Sequence, residues 1–270
     1  MYNPKSNRLF SALLFIYGAV SKHLMTTSEK IIILVRNYCS DLYENGLSTQ
    51  QHIAKALLNG VLYLTGKSYD DYEKQKSDII KLGTENLKNE TTAFSKKGHL
   101  NKIESNKNNF VQFVSEIKPN ELKNISPIKY KRRLTNEESF KIKTALKQKW
   151  EFNGWEFDNY YWEPLVKTKA ENTFFFDVDF LDDTDYKKIA EIISSDSGKT
   201  IYHLNEDKVD FELDPALFND DYWESVFTDK NHNWIIYFSH EGTVAFGGKS
   251  LIDKIDLKLP KLVEIKNTWK

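Results

Sequence analysis

Four groups of residues in this chain have the types and spacing to do chemistry. The first is a run of carboxylates, Asp177 and Asp179 in T-F-F-F-D-V-D-F, followed directly by Asp182 and Asp183. Carboxylates two apart on a strand share a face, where they can hold a divalent cation or divide general acid and general base roles. No histidine or third carboxylate is tied to the pair by spacing, so the wet side of a sheet is the preferred reading, and neither a metal nor a cofactor is expected. The second group is Glu264 and Lys266 in L-V-E-I-K, with Asp253 or Asp256 as an upstream carboxylate. Two acidic metal ligands and a lysine near an attacking water are what metal-dependent phosphodiester cleavage requires. The third is the basic run Lys129, Tyr130, Lys131, Arg132, Arg133, which has the composition to track a phosphate backbone. Its plainer reading is a solvated strand, or a face docked on acidic residues elsewhere in the chain. The fourth is His240-Glu241, with His203 and His232 in the same half; six histidines without a helical H-x3-H pair or a cysteine partner make a poor zinc site.

Two further stretches look chemical and fail on context. Gly60 to Ser68 (G-V-L-Y-L-T-G-K-S) has five residues between its glycines where a phosphate loop has four, and it follows a helical pattern instead of a strand. The arginine motif beginning at Arg36-Asn37 has Asp41 where the histidine of helical ribonucleases is needed.

The elements that must position these groups can be read from spacing. Ser28 is expected to cap a helix with Ile31, Leu34, Val35, Tyr38, Cys39 and Leu42 inward; Ser48 and Gln51 frame a second with Ile53, Ala54, Leu57, Leu58, Val61 and Leu62 inward; Ser68 caps a third ending near Leu82. Residues 1–84 therefore read as a helical bundle, 85–128 as a basic polar connector with one short helix around Phe110 to Ile117, and 129–270 as an α+β domain with an acidic surface. In that domain Thr135 and Glu138 form a capping box for a helix burying Phe140, Ile142, Ala145, Leu146 and Trp150, and Asn153-Gly154 signals a hairpin between two aromatic strands. A strand at 173–181, a helix from Asp182 to Gly198 and strands at 200–204 and 209–213 follow. Asn219-Asp220-Asp221 is expected to cap a short helix through Phe227, and Ser250 to Leu257 to form a last helix before a strand over 262–266. The strongest local signal is the hairpin W-I-I-Y-F-S-H-E-G-T-V-A-F-G-G over 234–248. Fold class follows as α+β, an N-terminal helical bundle and then a mixed, largely antiparallel domain.

The formal net charge of -1 conceals a division by sign: residues 1–150 carry 25 Lys and Arg against 14 Asp and Glu, and residues 151–270 carry 13 against 25. Such asymmetry points to an interaction surface or to two parts of one chain that attract each other. Aromatics at 14% place the chain among folded proteins, and the single Cys39 excludes an internal disulfide and fits a reducing compartment, hence a cytoplasmic location. Lys5 and Arg8 ahead of the apolar run at 9–20 have the layout of a secretory signal, but that run is too short to span a bilayer; an ordinary buried first helix is preferred, with Met25 an alternative start.

The hairpin over 234–248 resembles the closing hairpin of small bacterial α+β proteins of the polymorphic-toxin immunity type. The resemblance implies a protein that binds and occludes a toxin, with no catalytic residues to carry over. On that expectation the partner-binding residues are Asp177, Asp179, Asp182, Asp183, Asp220, Asp221, Tyr222, Trp223, His240 and Glu241, facing a basic protein partner: carboxylates orient it and aromatics anchor it. Two alternatives stand beside it. Leu262 to Lys266 resembles the E-x-K element of restriction-endonuclease-like nucleases, and Lys129, Lys131, Arg132 and Arg133 within the basic 86–150 region suit a nucleic-acid-binding module.

Overall fold

The computed structural model describes residues 25–90, 99–155, 162, 165, 168, 170–206, 209–218 and 224–268. The apolar run at 9–20 lies outside them. Apolar residues at three- and four-residue spacing make the first helices, although their caps differ from expectation. Helix α1 (Thr27–Glu44) opens at Thr26, whose hydroxyl accepts from Glu29 N while the Glu29 carboxylate accepts from Thr26 N. Ser28 is buried instead, its hydroxyl accepting from Tyr69 N. In α2 (Ser48–Val61) it is Gln50 that reaches back to Leu47 N. Asp71, not Ser68, caps α3 (Tyr72–Glu90), accepting from Glu73 N and Lys74 N, and the helix continues past Leu82.

The short helix expected inside a connector is a fourth bundle helix, α4 (Leu100–Glu116). Phe110 and Val114 on it, with Ile117 just beyond, pack into one core with Ile31, Val35, Leu57, Val61, Ile79 and Leu87. Its polar composition misled because a peripheral helix needs only one narrow apolar stripe to hold it. Gly60 and Gly83 set the closeness of α2 and α3. A Cβ on Gly60 would overlap the Leu82 carbonyl, and one on Gly83 would lie 2.8 Å from the Phe110 ring. Of the two glycines that suggested a phosphate loop, Gly60 thus serves helix packing, while Gly66 takes the left-handed conformation after the helix, φ 81°.

Seven strands among the described residues form one antiparallel sheet: β1 (Lys131–Arg133), β2 (Thr173–Asp177), β3 (Ile201–Asn205), β4 (Phe211–Leu213), β5 (Ser225–Thr228), β6 (Ile235–Phe238) and β7 (Thr243–Gly247), in the spatial order β1-β4-β3-β5-β6-β7-β2. Its register aligns one row across the whole sheet, Phe174, Phe246, Ile236, Phe227, His203, Phe211 and Arg133. That face packs under α6 (Asp183–Ser197) and α7 (Lys249–Lys258) through Ile189, Ile192, Ile193, Leu251 and Ile255, and Leu62 of the bundle joins the same core. The opposite face, with Leu204, Val226, Ile235, Tyr237 and Ala245, packs against α5 (Asn136–Trp150). Alternation along each strand supplies both faces, so the domain is an α+β sandwich of helix, sheet and helix.

Four local expectations give way to tertiary packing. Trp150 stays in the last turn of α5, buried and donating to His232 O at 2.9 Å, so the first strand of the aromatic hairpin expected around Asn153-Gly154 does not form, and Glu156 and Phe157 of its second strand lie outside the described residues; Glu151 closes the helix at φ 57°. Phe140 is left exposed on α5. Ser225 to Thr228 is a fully buried interior strand where a helix was expected, and 260–265 is a 3-10 turn where a strand was expected.

The strand β1 joins bundle to sheet. Successive side chains on a strand point to opposite faces, and here two adjacent arginines use both. Arg133 turns to the bundle, donating to Asn86 Oδ1 at 2.7 Å, lying 3.6 Å from Glu90 and stacking over Tyr63. Arg132 turns the other way and bridges Glu138 of α5 and Glu212 of β4, each at 3.0 Å. That guanidinium holds the Glu138 carboxyl down at about 2 against an ordinary 4.5. Burial pushes Glu212 upward, but donors from Lys230, Thr200 and Arg132 together keep it below its ordinary value.

Two outcomes are expected. Gly60→Ala should destabilise the chain by about 1–3 kcal/mol in urea unfolding, although alanine is the better helix former, because overpacking outweighs propensity here. A folded carboxyl lowered to about 2 stabilises fully above 4.5 and loses that contribution as pH falls between those values. Acid titration of Glu138→Gln should therefore show a flatter loss of stability over that range than the parent chain.

Candidate functional site

The sheet brings most of the described partner-binding candidates to one of its ends. β2 pairs with β7 so that Asp177 lies opposite Thr243, and Val178 N donates to Gly242 O in the β6–β7 turn. Asp179, which follows in a 3-10 turn, leaves the sheet at the same end as the β6–β7 turn. Asp177 and Asp179 do not share a strand face as expected: Asp177 Oδ1 accepts from Asp179 N, a turn-closing bond that uses one carboxylate to shape the backbone. Asp182 is the N-cap of α6, accepting from Thr184 N and Asp185 N, while Asp185 accepts in return from Asp182 N. Lys261 lies against Asp185 and 3.6 Å from Asp182. The capping bonds from Asp185 N and Thr184 N, with Lys261, hold the Asp182 carboxyl below its ordinary value. Asp183 is exposed beside it in the first turn of α6.

Two carboxylates that the sequence reading did not select complete this end. Glu206 follows β3, exposed, with its N–H donating to Glu224 O. Glu224 precedes β5 and is buried in a left-handed conformation, φ 46°. It accepts from Tyr237 OH at 2.8 Å and from both His240 N and the His240 ring Nδ1 at 2.6 Å. This one carboxylate fixes the β6–β7 turn and aims His240. Its only signal in the sequence is an acid at the head of a β-branched and aromatic run, which is too common to single out. Asp220, Asp221, Tyr222 and Trp223 lie outside the described residues.

The exposed surface formed is acidic: Asp179, Asp182, Asp183, Glu206 and Glu241 are all exposed and Asp177 is half-buried. His240 Nε2 lies 3.3 Å from Glu241. Carboxylates at the ends of elements, spread over one end of the sheet, suit the orientation of a cationic partner.

The other candidates are dispersed or engaged. Lys266 Nζ binds Asp256 at 2.6 Å and lies over the Phe174 ring, Asp253 pairs with Lys249 one turn away, and Glu264 is exposed on the 3-10 turn, so the elements of the nuclease reading face different partners. Among the described residues no group of three or more His, Cys, Asp or Glu is placed to hold a metal ion. His203 is a core residue stacked on Phe227 at 4.3 Å. Burial lowers the His232 pKa beside Tyr202 below its ordinary value, with Asp229 opposing that and Lys149 adding to it. Of the basic run, Arg132 and Arg133 are tied into the sheet and the bundle and Lys129 donates to Ala216 O.

No family model matches this chain, and no curated protein or solved structure matches it either.

Glu224→Ala leaves Tyr237 OH and His240 N without their buried acceptor. The expected cost is about 1–3 kcal/mol in urea unfolding, together with faster amide exchange at His240 than at the β6–β7 ladder.

Proposed function

We propose that the chain is a non-enzymatic binding protein of the polymorphic-toxin immunity type, whose acidic sheet end docks on a basic protein and occludes it. The observation that carries this reading is the convergence of Asp177, Asp179, Asp182, Asp183, Glu206 and Glu241, from three separate connections, on one end of a sheet whose turn is locked by a buried carboxylate. Complementary charge speeds encounter and fixes register, and a rigid rim loses little entropy on binding. Cationic nuclease toxins are the partner class with the matching field, and a reducing cytoplasm is the compartment proposed. No helix among the described residues is long and apolar enough to cross a membrane.

The reading is tested by co-expressing the chain with cationic toxin domains, one at a time, and scoring growth and complex formation. One domain should be neutralised, with an association that weakens as salt rises. Combined Asp179→Lys, Asp183→Lys and Glu241→Lys should abolish the rescue while leaving the unfolding transition in place. Rescue that survives these reversals defeats the assignment of the interface, and failure to bind any such domain defeats the immunity reading.

A further inference from the structure

The pair Asn153-Gly154, which reads in sequence as a turn, is one of three Asn-Gly pairs in the chain, with Asn45-Gly46 and Asn59-Gly60. An Asn-Gly peptide has a chemistry of its own. Because glycine has no Cβ, its backbone nitrogen can reach the side-chain carbonyl carbon of the preceding asparagine and close a succinimide ring. Ring closure needs a nitrogen free of hydrogen bonds and a backbone with room to rotate, so folding decides which of three identical pairs reacts.

The three surroundings differ. Asn59 and Gly60 lie inside α2, where helical geometry commits each backbone nitrogen to the carbonyl four residues back. Asn59 is buried and a Cβ on Gly60 would overlap the Leu82 carbonyl, so neither residue has space to turn. Asn45 is the C-cap of α1, its side-chain amide donating to Asp41 O at 2.9 Å and its backbone N–H to the same oxygen at 3.0 Å. Gly46 is hemmed in as well: a Cβ there would meet Leu42 O at 2.5 Å and Gln50 Cβ at 2.6 Å. Asn153-Gly154 instead follows α5 in irregular chain. Gly154 has φ 78°, and among the described residues nothing lies within 4 Å of where its Cβ would stand. Among those residues its N–H donates to no backbone carbonyl, and the Asn153 side chain makes one long local bond, from Nδ2 to Glu151 O at 3.3 Å.

We propose that Asn153 is a site of spontaneous deamidation, passing through a succinimide to aspartate and isoaspartate. Gly154 N gives up its proton to solvent and attacks Asn153 Cγ. A C–N bond forms, the bond from Cγ to Nδ2 breaks, and Nδ2 leaves as ammonia with a proton returned from solvent. Water then adds to either ring carbonyl and opens the ring, so that one water is consumed and one ammonia released with no change of oxidation state. Both products place a carboxylate where the chain runs between Phe152 and Trp155, whose rings meet edge to face at 5.5 Å, and isoaspartate also lengthens the main chain there by a methylene. The site uses no residue of the acidic end, so it stands or falls apart from the immunity reading.

The test incubates the full chain in mildly alkaline buffer, folded and in parallel in urea, followed by digestion and peptide mapping by mass spectrometry. Isoaspartate is scored with an isoaspartyl-specific methyltransferase. In the folded chain the peptide carrying Asn153 should exchange its amide NH for oxygen about tenfold or more faster than the peptide carrying Asn59, which reacts only through local unfolding, and should lead the peptide carrying Asn45. In urea the three rates should converge, because their ordering comes from the fold. Asn153→Gln, whose longer side chain closes a ring far more slowly, should abolish the conversion at that position and leave the other two unchanged. An Asn153 peptide that converts no faster than either of the others in the folded chain overturns the proposal, and so does a lead that is undiminished in urea.

Discussion

The architecture depends on a two-residue fact about strands: neighbours point to opposite sides. At β1 that alternation places Arg132 and Arg133 back to back, one gripping Glu138 and Glu212 within the sandwich, the other gripping Asn86 and Glu90 in the bundle. A three-residue edge strand has few ladder bonds to hold it and would otherwise be a weak margin open to stray pairing. Here it is secured by bidentate charge-assisted contacts on one side and by cation–aromatic stacking on the other. The far edge is covered differently, by the chain near residue 267, where Asn267 N donates to Phe175 O and Asn267 Oδ1 accepts from Phe175 N.

This clasp explains what becomes of the charge asymmetry. Part of the excess positive charge in the first 150 residues is consumed inside the molecule, with Arg132 on Glu212 and Lys143 on Asp210 crossing from one half to the other. The acids they neutralise lie on β4 and its approach, toward the bundle. The acids at the exit of β2, the start of α6 and the β6–β7 turn lie farther along the sheet order, and what charge they lose is to local partners such as Lys261 and His240. Among the described residues, internal neutralisation across the two halves is therefore found near the bundle, and the acidic end keeps exposed carboxylates.

Much of the fold was legible because its signals are local. The stripes of α1 and α2, the box at Thr135 and Glu138, and the hairpin of β6 and β7 each depend on residues within a few positions of one another. The failures share a cause as well. Trp150 reads as a strand residue beside Asn153-Gly154, yet burying its ring against the far side of the sheet outweighs the turn preference and keeps it helical. Ser225 to Thr228 follows an acidic cap-like cluster, yet becomes an interior strand because β3 and β6 supply ladder partners on both sides. The buried polar links of the bundle, Gln75 to Ser28 O, Lys76 to Ser115 O and Asn86 to Ala56 O, read in sequence as solvated positions.

The amino-acid order by itself determined the α+β class, the helix and hairpin stripes and the opposite signs of the two halves, since propensity, periodicity and charge are written residue by residue. Only the tertiary structure decided which charges remain available to act. Arg132 meets Glu212 eighty residues away, and Glu224 meets His240 across a strand pair. Whether a charge is answered depends on the groups that folding brings within a few ångströms, and such pairings leave no periodic trace in the chain that could be read beforehand.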